Sequence, residues 1–301
     1  MKKTVLTSFM LLASFSASAY QFEVDGVVGY YDSKLTNGNY DGGVQGTYYL
    51  NNIDSSKGPL AEAAFLNQAT SVSAAYNYGR LTADDVQGKV KSEQQSYGVK
   101  AEGYYPVDNI PLYGSVSYNH SKTKPKNDFT AANYKEKDSG DRYAVELGAV
   151  VMPNLLVALG YTHTAQDSLD AFDILQNGIV NAGIESRNID DKKDSYTARL
   201  KYLGPIQDTG MSIGFETKLA HGASTMYGIK SDLYVTPQLG FGIGYVNSDH
   251  TGGKIPTSAV SVDTSYFVTQ NISLGAAFIH GMNDNGGKNV NSGNISAKFR
   301  F

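Results

Sequence analysis

Ile295, Ala297, Phe299 and Phe301 close the chain on one face of an extended segment, and Ser296, Lys298 and Arg300 occupy the other. Side chains of a strand alternate between faces, so this ending is a strand with an apolar side and a charged side. In water such a strand leaves a bare aromatic edge. In a membrane wall the same strand puts its apolar side to lipid and its charges to an interior lumen.

The pattern recurs along the chain in stretches of about ten residues, the spacing of transmembrane strands. Phe22, Val24, Val28 and Tyr30 oppose Gln21, Glu23 and Asp25; Val44, Gly46, Tyr48 and Leu50 follow. Tyr143, Val145, Leu147, Ala149 and Val151 oppose Arg142, Ala144, Glu146 and Gly148. Tyr196, Ala198, Leu200 and Tyr202 oppose Thr197, Arg199 and Lys201, and Leu239, Phe241, Ile243 and Tyr245 oppose three glycines. Beyond the N-terminus no apolar run is long enough for a spanning helix, which needs about 20 residues. A chain that enters a membrane with strands must close them, because lipid cannot satisfy an open edge. The expected fold is all-β, a transmembrane antiparallel barrel.

Lys2 and Lys3, the apolar run Val5 to Phe15 and the small residues Ala17, Ser18 and Ala19 have the form of a secretory leader. Residues 1–19 are expected to be cleaved and 20–301 to form a single barrel domain. The chain has no cysteine, which excludes a disulfide framework and a lipid anchor on cysteine. Its formal charge is −4, falling to about −6 without the two leader lysines, so nothing in the charge balance invites nucleic acid. The 22 Tyr beside no Trp suit both a membrane interface and a wet wall.

Tight connections at Met152 to Asn154, Thr236 to Gln238 and Thr269 to Asn271 alternate with long polar ones at Ser121 to Ser139 and Ala165 to Lys193. Bacterial barrels have short periplasmic turns and long outer loops. Placing both termini in the periplasm makes each tight turn follow an even-numbered strand and gives about fourteen strands, with twelve or sixteen the near alternatives. One connection is too long for a turn, from Asn51 to Thr70. Its apolar core around Leu60, Phe65 and Leu66 either forms a short helix that plugs the periplasmic mouth or begins a long third strand.

The predicted lumen lining is Glu23, Asp25, Lys100, Glu102, Arg142, Glu146, Arg199, Lys201, Glu216, Lys218, Lys230, Asp232, Asp263, Lys298 and Arg300. Lys or Arg facing lipid near the midplane would cost about 2–4 kcal/mol each, which explains their confinement to one face. Glu216 and Lys218 are expected beside Arg199 and Lys201, and closure brings Glu23 and Asp25 to Lys298 and Arg300. Such pairs serve equally as cross-braces or as a filter. The apolar residues of the Ala165 to Lys193 connection, Phe172 and Ile179 among them, suit a constriction, a lid or a surface helix.

Enzyme signals are weak. Five histidines, at 120, 163, 221, 250 and 280, lack metal-site spacing, so no metal or cofactor is expected. The Asp84–Asp85 and Asp249–His250 pairs of a barrel protease fall on about the third and eleventh strands, far apart around the wall. No serine stands in a Gly-x-Ser-x-Gly setting with supporting partners.

The segments Tyr20 to Val24, Gly43 to Leu50, Gly58 to Gln68, Gly140 to Gly148 and Ala297 to Phe301 resemble, in order, those of the Acinetobacter porin family of the "Omp thirty-three" type. The last also resembles the C-terminal aromatic signal of outer-membrane barrels. The resemblance implies a fourteen-stranded, monomeric outer-membrane barrel that passes water and small solutes, and it carries no catalytic residue. The expected partners are outer-membrane lipid, small hydrophilic solutes and, through Phe301, the barrel-assembly machinery. The expected activity is passive diffusion of water, ions and small hydrophilic solutes through a narrow mixed-charge lumen. The alternative is a closed barrel acting as a surface adhesin or host-ligand-binding protein through its extracellular loops.

Overall fold

The computed structural model describes residues 19–33, 36–85, 88–108, 110–127, 138–164, 193–222, 225–249, 258–282 and 289–301. The leader up to residue 18, most of the Ala165 to Lys193 connection and His250 lie outside the described residues. Fourteen strands run in chain order: β1 (Ala19–Ser33), β2 (Thr36–Asp54), β3 (Ser71–Asp85), β4 (Gly88–Tyr105), β5 (Leu112–Asn127), β6 (Asp138–Met152) and β7 (Leu155–Thr164). They continue as β8 (Lys193–Pro205), β9 (Ser212–His221), β10 (Thr225–Tyr234), β11 (Leu239–Ser248), β12 (Ser258–Thr269), β13 (Ile272–Met282) and β14 (Val290–Arg300). Each pairs with its sequence neighbours and β14 pairs with β1, so the sheet is a closed antiparallel barrel with no free edge. Among the described residues no helix is long and apolar enough to cross a membrane.

Closure runs from Glu23 opposite Arg300 to Ser33 opposite Val290. The seam is completed by the last residue, whose amide donates to the Phe22 carbonyl at 2.9 Å while its own carbonyl accepts from the Gln21 and Phe22 amides. The tight turns expected at Met152 to Asn154, Thr236 to Gln238 and Thr269 to Asn271 follow β6, β10 and β12, but connections of two or three residues also follow β1, β3 and β9, so turn length alone does not separate the two ends of the barrel. After β4, β6 and β8 the chain reverses through Asp108, Asn154 and Asp208, with φ of 48°, 61° and 60°, the left-handed region that Asn and Asp tolerate best after Gly.

Outside, the wall is apolar: Leu147, Leu159, Ile243 and Ile295 are 67%, 66%, 62% and 63% exposed, a surface that only lipid covers. Rings gather at its two ends. Phe22 and Tyr48 touch at 5.3 Å at the turn end, and Tyr118 with Tyr143, Tyr161 with Tyr196 and Tyr227 with Tyr245 meet at the other. Amphipathic rings favour that boundary between hydrocarbon and water.

One expectation needs correction. β2 to β6 hold 15 to 19 residues, not ten, so β5 and β6 extend into the expected Ser121 to Ser139 loop. The backbone ladder continues past the apolar band, where both faces are polar and alternation gives no signal. Of the two alternatives for the Asn51 to Thr70 connection, the helix is the one formed: Leu60–Glu62 is a 3-10 turn and Ala63–Leu66 a short helix, α1, and the third strand begins at Ser71.

Candidate functional site

The turn between β2 and β3 does not stay outside the barrel. Asn67 anchors it, its amide nitrogen donating to the Asp54 and Ala63 carbonyls at 2.8 and 2.7 Å. Gly58 permits the fold-back, since a Cβ there would stand 2.8 Å from Leu66 Cδ1. From this anchor the segment reaches across the interior. The Leu60 amide donates to the Pro237 carbonyl in the β10–β11 turn at 2.8 Å, and the Leu60 carbonyl accepts from Arg300 at 2.9 Å. Contacts to β8, β10 and β14 from one short segment require that it lie inside the wall.

It rests on inward apolar patches at the turn end. Tyr20, Tyr49, Ile53 and Ala63 form one buried cluster, against which Ala64 and Ala69 pack. Tyr113, Val150, Leu156 and Ala158 form another, covered by Phe65 and Tyr104. Polar contacts lock the same segment. Glu62 pairs with Lys201 at 2.8 Å and accepts from the Tyr234 hydroxyl at 3.0 Å, while Lys201 Nζ sits 4.9 Å from the Phe65 ring centre.

The predicted inward charges meet one another. Glu23 holds Lys298 and Arg300, each at 2.7 Å, and Lys298 also reaches Asp25 at 3.2 Å. Arg300 is stacked between the rings of Tyr20 and Phe267, 4.5 and 4.6 Å from their centres. Arg199 bridges Glu146 at 3.2 Å and Glu216 at 3.0 Å, with Lys218 3.9 Å from Glu216. Lys100 pairs with Glu102 at 2.8 Å, and Lys230 with Asp232 and Asp263 at 3.0 and 3.3 Å. Arg142 lies opposite Asn119 and Thr164 in register. In half-buried ion pairs of this kind, mutual attraction and hydrogen bonding offset part of the cost of desolvation.

Sequence reasoning missed several residues. Glu62 belongs to the inward segment, and Tyr113 hydroxyl donates to Glu102 at 3.1 Å. Face parity along β5 places Tyr113 with Ser115, Ser117 and Asn119, a signal present in the sequence. Around the Lys100–Glu102 pair, the inner wall of β2 to β5 carries many neutral polar side chains. Gln45 donates to the Thr47 hydroxyl, Thr47 bonds Ser73 at 3.0 Å, and Asn77, Ser96, Asn119 and Ser121 are buried beside them. Between the segment and the opposite wall lies a cavity of about 210 Å³, bordered by Ala61 and Glu62 on one side and by Asp25, Lys230, Asp263 and Lys298 on the other.

Of the enzyme candidates, Asp84 and Asp85 pair within the β3–β4 ladder and Asp249 accepts the Thr225 amide. Among the described residues no three His, Asp or Glu gather as a metal site.

A closed fourteen-stranded sheet with a lipid-covered exterior and a polar interior defines an outer-membrane β-barrel of the channel-forming class. The family described as "Putative general bacterial porin" matches residues 1–301, and the chain belongs to it. The outer membrane protein Omp33 of Acinetobacter baumannii is 37% identical, with a TM-score of 0.67 over 94% of this chain and 99% of that one. Two further barrels share the fold alone. The toluene transporter TodX of Pseudomonas putida is 11% identical with a TM-score of 0.52, over 95% of this chain and 89% of that one. A FadL homologue of Pseudomonas aeruginosa is 12% identical with a TM-score of 0.53, over 93% and 90%. No curated protein matches the chain. The protein is thus an outer-membrane porin-family barrel with a channel or transport role.

Proposed function

We propose that this barrel is a passive diffusion channel for water, ions and small hydrophilic solutes, with its lumen narrowed at the periplasmic end by Leu60 to Leu66. The observation that carries the reading is the docking of that segment, through Glu62, onto Lys201 and Tyr234. A turn that needed only to join two strands would gain nothing from crossing the lumen, and its burial there leaves a polar gap beside it.

The short turns and both termini face the periplasm in this reading, and Phe301 is the handle for barrel assembly. The protein works as a monomer, since one barrel encloses the whole path. The fifteen inward charges predicted above line that path, with Lys230, Asp232, Asp263, Asp25 and Lys298 nearest the gap. Both signs alternate along it, so small polar solutes of either charge find a partner while large ones are excluded by size. Barrels of eight strands are filled by side chains and those of sixteen to eighteen hold an open channel; fourteen strands with a docked segment fall between.

Swelling of liposomes that contain the refolded mature protein tests this, using sugars of increasing size. Entry of the smallest with exclusion of the larger supports the reading. Impermeability to all of them, with the barrel folded, favours a closed barrel that works through its outer loops, for which the same docked segment would be the seal.

A further inference from the structure

The outward face of the wall is apolar or aromatic along most of its height, and among the residues whose side chains are described its cations lie in one sector. Arg80 on β3, Lys91 on β4, and Lys122 and Lys124 on β5 share the outward face with exposed Tyr76, Tyr97 and Val116, by two-residue alternation. Register makes them one patch: Arg80 lies opposite Glu93, Glu93 opposite Lys124, Gln95 opposite Lys122 and Thr82 opposite Lys91. Among the strand residues whose side chains are described, every other Lys or Arg falls on the inward face by the same alternation.

Its height is specific. From Leu112 to Lys122 strand β5 climbs about 25 Å at the usual rise and tilt, the height of the apolar band of such barrels. Directly below Lys122 stands the row Tyr76, Tyr97 and His120, with Tyr97 and His120 in ring contact at 5.2 Å. The patch therefore begins where hydrocarbon ends and headgroups start.

Neighbouring acids do not cancel it. Asp141 is committed to the Tyr118 hydroxyl and His120 Nδ1, each at 2.7 Å, and Glu93 alone stands among four cations. On the far side of the barrel the corresponding rim carries Asn247, Asp249, His280 and Asn291 and, among the described residues, no Lys or Arg. Below the patch, Ala74, Val99, Ala101 and Val116 make a strip of small, flat side chains.

We propose that this β3–β5 sector binds the phosphate groups of an acylated outer-leaflet glycolipid, whose acyl chains lie along the strip below. Lys and Arg at the headgroup level supply charge-assisted donors to phosphate. The assignment of this lipid to the outer leaflet rests on the periplasmic placing of the turns.

The test is titration of the refolded mature protein, in zwitterionic micelles, with diphosphoryl lipid A and with its dephosphorylated form; binding in micelles does not depend on orientation in a membrane. The expected result is a preference for the diphosphoryl lipid of about tenfold or more, the scale of one charge-assisted bond. Combined Arg80→Gln, Lys91→Gln, Lys122→Gln and Lys124→Gln should abolish the preference, whereas Lys57→Gln at the opposite end should keep it. Should the fourfold variant fail to fold, Lys122→Glu and Arg80→Glu singly should each weaken the preference. Equal affinity for the two lipids, an unchanged preference in the variants, or equally tight binding of inorganic pyrophosphate would each overturn the proposal.

Discussion

Lys201 Nζ stands 2.8 Å from the Glu62 carboxylate, joining β8 to a segment that the chain inserts between β2 and β3. Both side chains are largely buried, so loss of either leaves the other charge without its main partner. Removing one member of a buried pair costs about 3–5 kcal/mol. Glu62→Gln should therefore release the segment without unfolding the barrel, whose ladders do not involve it. Hydrogen exchange at the Leu60 and Ala69 amides should quicken while the strand amides stay protected. Unchanged exchange at both would show that the pair does not hold the segment.

Phe65 covers the Tyr113–Leu156 cluster from the lumen side. Phe65→Ala should cost about 3 kcal/mol of docking free energy, the low end for loss of a large side chain, since Phe65 is only half-buried. Water permeability of proteoliposomes should rise, with the unfolding midpoint of the barrel little altered.

At the seam, Arg300 is 3% exposed and Glu23 5%. Arg300→Ala leaves buried Glu23 paired with Lys298 and empties the space between two rings, and should destabilise the barrel by about 3 kcal/mol, the low end for a buried pair, read from urea unfolding in lipid vesicles. Glu23→Leu combined with Arg300→Met should recover most of that loss, because Lys298 keeps Asp25 and apolar side chains fill the space between Tyr20 and Phe267. A double variant as weak as Arg300→Ala would mean that the ion pair itself stabilises the seam.

Leu159 points outward near the middle of β7 and is 66% exposed. Leu159→Arg should cost about 2–4 kcal/mol on folding into lipid, and Leu159→Phe almost nothing. Equal stability of the two in vesicle refolding would contradict the lipid-facing assignment of that strand.

The strand count was legible because residues such as Leu147 and Leu159 must meet lipid, which enforces alternation through the apolar band. Strand length was not, because Lys122 and Thr123 lie above that band and both of their faces are wet. Charge pairing across the seam could be read from register and closure, which set Glu23 opposite Arg300. The inward position of Glu62 could not, since Leu60 to Leu66 suits a strand or a helix equally and only the cross-barrel contacts to Pro237, Lys201 and Arg300 decide it. The inward rings of Tyr20, Tyr49 and Tyr113 were hidden for another reason: Tyr suits the membrane boundary and the lumen alike.

The most direct measurement is single-channel conductance of the mature protein beside a variant in which Leu60 to Leu66 is replaced by a Gly-Ser stretch of the same length. A channel narrowed by this segment predicts small conductance in the native chain and a several-fold larger one in the variant. Equal conductance in the two, or none in either while both barrels are folded, would contradict it.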